Sequence, residues 1–334
     1  LNYDYARRRM RNEPLVEVSQ VKGTSETHPD LSPGDEWAGF ELYDNLIAST
    51  EIARKSGGFV REAYRVGLEL YAAHGFNPFR FGLIGSSDTH SGGGSVEERF
   101  YSGKVGTLDD TPAKRGSIPS SLRARFGSDD AAHAFSQWNA AGLAGVWAME
   151  NSRAALFAAL RRGETFATSG PRIRVRVKAG HGCDAGADAQ GPFHGPTVPM
   201  GGTLVSKTGI ARCLSVWAIR DANSAPLDRL QIIKGWGEAG SSQEQVIDVA
   251  CSRGAVPDPR THRCPDDGAK VGLSDCTPGP GATEVRALWR DETVDARLPA
   301  FYYVRVLENP SCRWSTWDAL RAGVAPDPDL PLTV

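Results

Sequence analysis

Apolar and polar residues follow two different rhythms along this chain. Through the first 165 residues, short β-rich runs are interleaved with stretches of helical spacing. Residues 14–21, Pro-Leu-Val-Glu-Val-Ser-Gln-Val, form a compact strand-like run bounded by Pro14 and Gly23. Over 35–55 the apolar positions Trp37, Phe40, Leu42, Leu46, Ile47 and Ile52 have a partly helical spacing. Over 59–74, Val60, Ala63, Tyr64, Leu68 and Tyr71 recur at three- and four-residue steps and predict a helix, with Gly75 as its C-cap glycine. Residues 79–84 predict a short buried strand running into Gly85-Ser86-Ser87. Residues 152–163 predict another helix, carrying Leu156 and Leu160 and closing on Arg161-Arg162-Gly163. Strand, helix, strand, helix in order argues for an α/β layer or barrel.

From about residue 166 the period changes to two. Residues 172–178, Arg-Ile-Arg-Val-Arg-Val-Lys, alternate strictly between charge and aliphatics, and that period assigns the basic residues to the exposed face of a strand rather than to a nucleic-acid contact. Residues 212–219, 227–234 and 300–307 read as further strands separated by Gly, Pro, Asp and Asn, the rhythm of a β-sandwich. A Gly/Pro-rich loop spans 180–202, and 252–282 is a long irregular excursion. The expected fold class is therefore α/β plus all-β: a partial β/α domain over 1–165, then a β-sandwich-like domain over 166–334 with a cysteine-containing loop at 251–276.

Composition narrows the partners. Apolar residues make up 40% and charged residues 23%, enough for a buried core. Thirty-eight basic against 40 acidic residues give a net charge of −2, which argues against a nucleic-acid binder or a polybasic membrane protein. The longest apolar runs, 142–149 and 154–160, fall far short of the roughly 18 residues of a membrane span. The chain begins Leu1-Asn2-Tyr3 with no signal or transit pattern.

P-loop, G-x-S-x-G, H-E-x-x-H and C-x-x-C motifs are absent. Chemistry concentrates instead at two predicted strand ends. Asp88 and His90 follow the strand at 79–84 and precede Gly92-Gly93-Gly94. Residues two apart share a face while the chain stays extended, so this carboxylate and imidazole suit a divalent ion or an acid/base pair. The plainer alternative is a turn-capping Asp beside an ordinary loop His. Glu17, Lys22, Glu26 and His28 gather around the end of the first strand. Singly, each has a bland role as a solvent-facing or locally paired side chain; two clusters of hard and borderline ligands at two strand ends point to a metal site.

These residues sit in longer motifs. Arg11-Asn-Glu-Pro-Leu-Val-Glu17, Lys22-Gly-x-Ser-Glu-Thr-His28, Gly82-Leu-Ile-Gly-Ser-Ser-Asp-Thr-His90 and Thr165-Phe-Ala-Thr-Ser-Gly-Pro171 resemble a bacterial family, the domain-of-unknown-function family numbered 3604, allied to the PHP (polymerase and histidinol phosphatase) phosphoesterases. Residues 227–236 and 300–308, Arg313-Trp314 and Trp317-Asp318-Ala319 also resemble it. The resemblance implies a distorted, TIM-like β/α barrel holding two or three divalent ions (Zn, Mn or Fe), followed by a β domain. It implies metal-assisted hydrolysis of a small-molecule phosphoester, with Glu17, Glu26, His28, Asp88 and His90 as ligands and Lys22 holding the substrate anion. PHP-like proteins open with an H-x-H pair that this chain lacks, so the resemblance also implies an incomplete C-terminal portion of a longer enzyme. His74 reads as structural, and His133, His181, His194 and His262 carry no role. The competing class is a non-catalytic binding module. Its tryptophans, Trp217, Trp236, Trp289, Trp314 and Trp317, lie in or near β runs where core packing is the commoner use.

All six cysteines (183, 213, 251, 264, 276 and 312) lie in the second half, with no gap shorter than twelve residues. That spacing does not suit a metal site, whereas a loop-rich stretch suits disulfides. Fifteen pairings are open; the expected ones are Cys264–Cys276, Cys251–Cys312 and Cys183–Cys213. Disulfides imply an oxidising compartment, hence a periplasmic or secreted protein whose signal peptide precedes Leu1.

Overall fold

The computed structural model describes residues 1–46, 51–118, 135–183, 193, 195–207, 209–238, 240–292 and 298–334. Ile47, His133 and His194 lie outside the described residues. A short helix, α1 (Tyr3–Asn12), starts at Asn2, whose side chain accepts a hydrogen bond from the Tyr5 amide. The chain then enters β1 (Leu15–Gln20), turns at Gly23 into β2 (Gly23–Thr24), and later forms α2 (Val60–His74) and β3 (Gly82–Gly85). β1 pairs antiparallel with β2 and parallel with β3, so β1–α2–β3 is a β/α/β crossover. Gly75 ends α2 in the left-handed region at φ 75°.

β4 (Leu143–Val146) and β5 (Thr165–Thr168) pair antiparallel around the helix α3 (Arg153–Arg162), which Ser152 caps. This pair lies against β3: the Gly142 amide donates to Ser86 O at 2.8 Å, and the Ser86 amide donates to Ser19 O at 2.9 Å. A Cβ at Gly85 would sit 2.7 Å from Leu143 O, so only glycine allows this approach.

The remainder is mostly antiparallel β. One sheet has the order β11 (Glu284–Asp291), β8 (Arg212–Ile219), β6 (Arg174–His181), β7 (Val198–Pro199). The other has the order β10 (Ser241–Cys251), β9 (Leu227–Glu238), β12 (Ala300–Glu308). Val175, Leu214, Val216, Ala218 and Val285 from the first sheet meet Leu227, Leu230 and Ile232 from the second in one buried cluster. This face-to-face packing is sandwich-like. A last helix, α4 (Trp314–Ala322), buries Trp314 against Tyr101 and Val21.

The expected β/α barrel is not present: no barrel closes among the described residues. Barrel closure needs a repeated series of parallel strands with consistent tilt and stagger. Here β1 and β3 are the parallel pair, and β2, β4 and β5 are all paired antiparallel. The helical spacing over 35–55 is realised as turns where it is described, with Asn45 and Ile52 bridging, because Pro33, Gly34 and Gly39 interrupt any helix.

α2 joins the two halves. Tyr64 packs on Phe81 below and Phe301 above, and its hydroxyl donates to Phe81 O at 2.8 Å. On the same helix Arg61, 1% exposed, donates to Glu26 and Asp35 at 2.7 Å each and to Tyr303 at 2.7 Å. Arg305 of β12 donates to the same two carboxylates, at 3.2 Å to Glu26 and 2.7 Å to Asp35. A buried charge is tolerated only when paired in this way.

All six cysteines are paired. Cys183–Cys213 is as expected, but the other bridges are Cys251–Cys264 and Cys276–Cys312, in place of Cys264–Cys276 and Cys251–Cys312. The start of the excursion folds straight back on β10: Asp248 accepts the Cys264 amide at 2.6 Å and Arg263 donates to Val246 O, which lays Cys264 beside Cys251. Its end is held near the last β segment, with Asn309 Nδ2 donating to Pro280 O at 2.9 Å, and there Cys276 meets Cys312.

Candidate functional site at the mouth of β1 and β3

Parallel pairing places Glu17 level with Ile84, so the β1 carboxylate stands beside the segment that leaves β3. Glu17 accepts from Gln20 Nε2 at 2.7 Å on one oxygen and from the Ser86 hydroxyl on the other. Two residues on, Asp88 occupies the left-handed region at φ 47°, a conformation that Asp adopts more readily than most residues. This departure from extended backbone turns the loop, and the His90 amide is fixed by Lys104 O at 2.8 Å.

Asp88 is shared between two partners. Its Oδ2 accepts from Lys104 Nζ at 2.7 Å, and its Oδ1 lies 3.9 Å from His90 Nε2. Lys104 is buried and also stands 5.0 Å from the Trp138 ring centre. Glycines with positive φ at 103 and 106 flank it, and the Asp109 carboxylate caps the amides of Lys104 and Val105. His90 is 60% exposed and open to solvent. Lys22 projects from the tight turn between β1 and β2, its ammonium donating to Ser25 Oγ at 2.7 Å. Burial lowers its pKa, and Glu17 and Asp88 oppose that shift, so Lys22 feels both carboxylates. The turn requires Gly23: φ is 100°, and a Cβ there would lie 1.9 Å from Glu41 O.

Glu17, Lys22, Asp88 and His90 thus gather at one strand mouth, joined by Ser86 and Lys104. Sequence reasoning passed over Lys104; the only local signal is its position between Gly103 and Gly106. Glu26 and His28 are placed elsewhere. Glu26 lies in the Arg61–Arg305 network, where Tyr303 also donates to it at 2.6 Å, and the two guanidiniums hold its pKa below the usual range against burial. His28 is buried against Phe59, and its Nδ1 accepts the Asp30 amide at 3.1 Å.

In donor type, two carboxylates and an imidazole suit a divalent cation. His90 and, in part, Asp88 are exposed, whereas Lys104 and Ser86 already engage Asp88 Oδ2 and Glu17. Among the described residues, no three His, Cys, Asp or Glu side chains are grouped closely enough to cage an ion as they stand. The residues in hand supply a partial shell.

Fold and site together define a mostly β, disulfide-linked protein with a carboxylate–lysine cluster where two parallel strands end. The chain belongs to the family described as "Protein of unknown function (DUF3604)", which it matches over residues 1–334. No curated protein and no solved structure matches it. Three disulfides fit an extracellular or secreted protein. Among the described residues no helix is long and apolar enough to cross a membrane.

Proposed function

We propose that the β1–β3 mouth is the site of a metal-dependent hydrolase acting on phosphoesters, allied to the PHP enzymes and working in the periplasm. The observation that carries this reading is the convergence of Glu17, Asp88 and two lysines where parallel strands end. Asp88 and His90 would offer the ion a partial shell, with Glu17 as the further carboxylate of the same mouth. A bound divalent ion supplies a water of lowered pKa and neutralises charge on the phosphoryl oxygens. Lys104 fixes the Asp88 carboxylate and leaves Oδ1 turned to His90. Ser86 and Gln20 hold Glu17 in place. Lys22, partly desolvated, offers a cation to the anionic ester, and a desolvated ammonium binds an anion more strongly than a solvated one.

Calorimetric titration with manganese and with zinc, followed by turnover of an aryl phosphate, tests this. Stoichiometric binding that is lost in Asp88→Ala, with turnover lost in the same variant, is the expected result. Absence of both binding and turnover in the unaltered protein would refute the reading.

A further inference from the structure

The outer face of the β11–β8–β6 sheet serves no part of the proposed hydrolytic site, and its chemistry is distinctive. Val175, Val216, Ala218 and Val285 point into the sandwich core, so alternation puts their neighbours on the opposite face. The ladder register then fixes rows across the sheet. Arg286 of β11 stands opposite Trp217 of β8, which stands opposite Arg176 of β6. Directly paired residues share a face, with side chains about 5 Å apart. Trp147 extends this row past β6. Its indole N–H donates to Val175 O at 2.8 Å, and the Arg176 guanidinium lies 5.0 Å from its ring centre. The row thus reads Trp147, Arg176, Trp217, Arg286. Arg174 and Lys178 lie to either side of Arg176 on the same strand.

Arg174, Arg176, Lys178 and Arg286 are all exposed. Glu284, on the same face, engages Arg286 and also accepts from Trp217, but among the described residues no carboxylate pairs with Arg174, Arg176 or Lys178. In a chain of net charge −2, this is a face of net positive charge, with Trp217 between Arg176 and Arg286 and the Trp147 plane at the end of the row.

We infer that this sheet face binds an acidic polysaccharide, with carboxylate or sulfate groups on the arginines and Lys178 and a sugar ring lying against Trp217. Guanidinium groups pair bidentately with carboxylate and sulfate oxygens. An indole plane offers a sugar ring a large, partly apolar contact whose edges stay wet. Charge complementarity alone would also admit nucleic acid. Three disulfides fit an extracellular or secreted protein, for which acidic glycans are available polyanions, and its overall acidity opposes long-range attraction to a nucleic-acid backbone. The inference is independent of the hydrolytic reading, because the two sites share no residue.

The test is binding of the 334-residue protein, at low salt, to polygalacturonate and to chondroitin sulfate, with neutral dextran and single-stranded DNA as comparisons. The expected result is binding to at least one acidic glycan, no binding to dextran and weaker binding to DNA. The double variant Arg174→Glu with Lys178→Glu should lose on the order of tenfold or more in glycan affinity. Both positions are exposed and unpaired, so its melting temperature should not change; Trp217→Phe provides a second, milder variant that weakens the ring contact. No binding to either glycan, unchanged affinity in the charge-reversed protein, or equal or tighter binding to DNA would each overturn the inference.

Discussion

Lys104 and Asp88 form the most informative pair at the residue scale. The ammonium is buried, and its carboxylate partner is about one-third exposed. Removing the carboxylate leaves the ammonium, among the described residues, with the Trp138 ring alone and a desolvation cost of about 1–3 kcal/mol. Asp88→Ala should therefore lower the urea midpoint by a matching amount at unchanged slope, while Lys104→Met should cost less, because Asp88 can turn to water. Equal losses in both variants would mean the pair is not held as described. Arg61 makes a harsher test. It neutralises Glu26 and Asp35 inside the molecule, so Arg61→Met should cost about 3–5 kcal/mol. Arg61→Lys should recover little of that, since one ammonium cannot span Glu26, Asp35, Glu244 and Tyr303. Retention of wild-type stability by either variant would remove the network from the account of the fold.

At the element scale, the excursion over 252–282 has almost no regular structure, and its two bridges hold it at both ends. Non-reducing peptide maps should join Cys251 to Cys264 and Cys276 to Cys312. A fragment joining Cys264 to Cys276 would contradict the structure. The Cys276–Cys312 bridge closes the longer loop, with a sequence separation of 36 against 13. In the chain-entropy picture it stabilises by about 3–4 kcal/mol, slightly more than the shorter loop. Cys276→Ser with Cys312→Ser should thus lower the melting temperature at least as much as Cys251→Ser with Cys264→Ser. The reverse order would place the main constraint at the start of the excursion.

Across the whole molecule, buried carboxylates oppose one another in their effect on stability. Asp35 is held down to about 2 by Arg305 and Arg61, against the burial that would raise it. Its folded value lies below the unfolded one of 3.8, so its contribution is present above about pH 4 and is lost as pH falls towards 2. Glu41 behaves in the opposite sense. Burial and the neighbouring Glu98 push it up to about 7, although Arg313 donates to it at 2.7 Å. The folded state binds this proton more tightly, so stability falls as pH rises from 4.5 to about 7. Glu308, raised to about 8 by burial, adds to the same trend. Melting temperature should therefore peak near pH 4–5 and decline towards pH 8. Glu41→Gln should flatten that decline, since its amide oxygen still accepts from Arg313 without a proton to lose. A wild-type curve that climbs from pH 5 to 8 would contradict these assignments.

What the sequence determined by itself was local. Three- and four-residue spacing with a closing glycine defined α2 and α3, period-two alternation defined β6 and β8, and Gly85-Ser-Ser-Asp-Thr-His placed two polar groups just past a strand. Each of these signals is carried by neighbours in the chain, where backbone geometry alone fixes which side chains share a face. The motif resemblance likewise named the family. Tertiary structure decided everything that depends on distant partners. Glu26 and His28 lie only a few residues from Lys22, yet Arg61 and Arg305, 35 and 279 residues away from Glu26, draw it into a buried ion network. Lys104 comes to Asp88 from 16 residues on, through a loop with no periodic signal. Cysteine pairing followed the fold of the excursion, not the shortest spacing. A barrel was expected from strand–helix–strand order, but none closes among the described residues, because closure depends on how strands pair across the chain, and here β2, β4 and β5 pair antiparallel. Spacing encodes direction along one element; desolvation, charge pairing and strand order are decided between elements, where the sequence carries no single local mark.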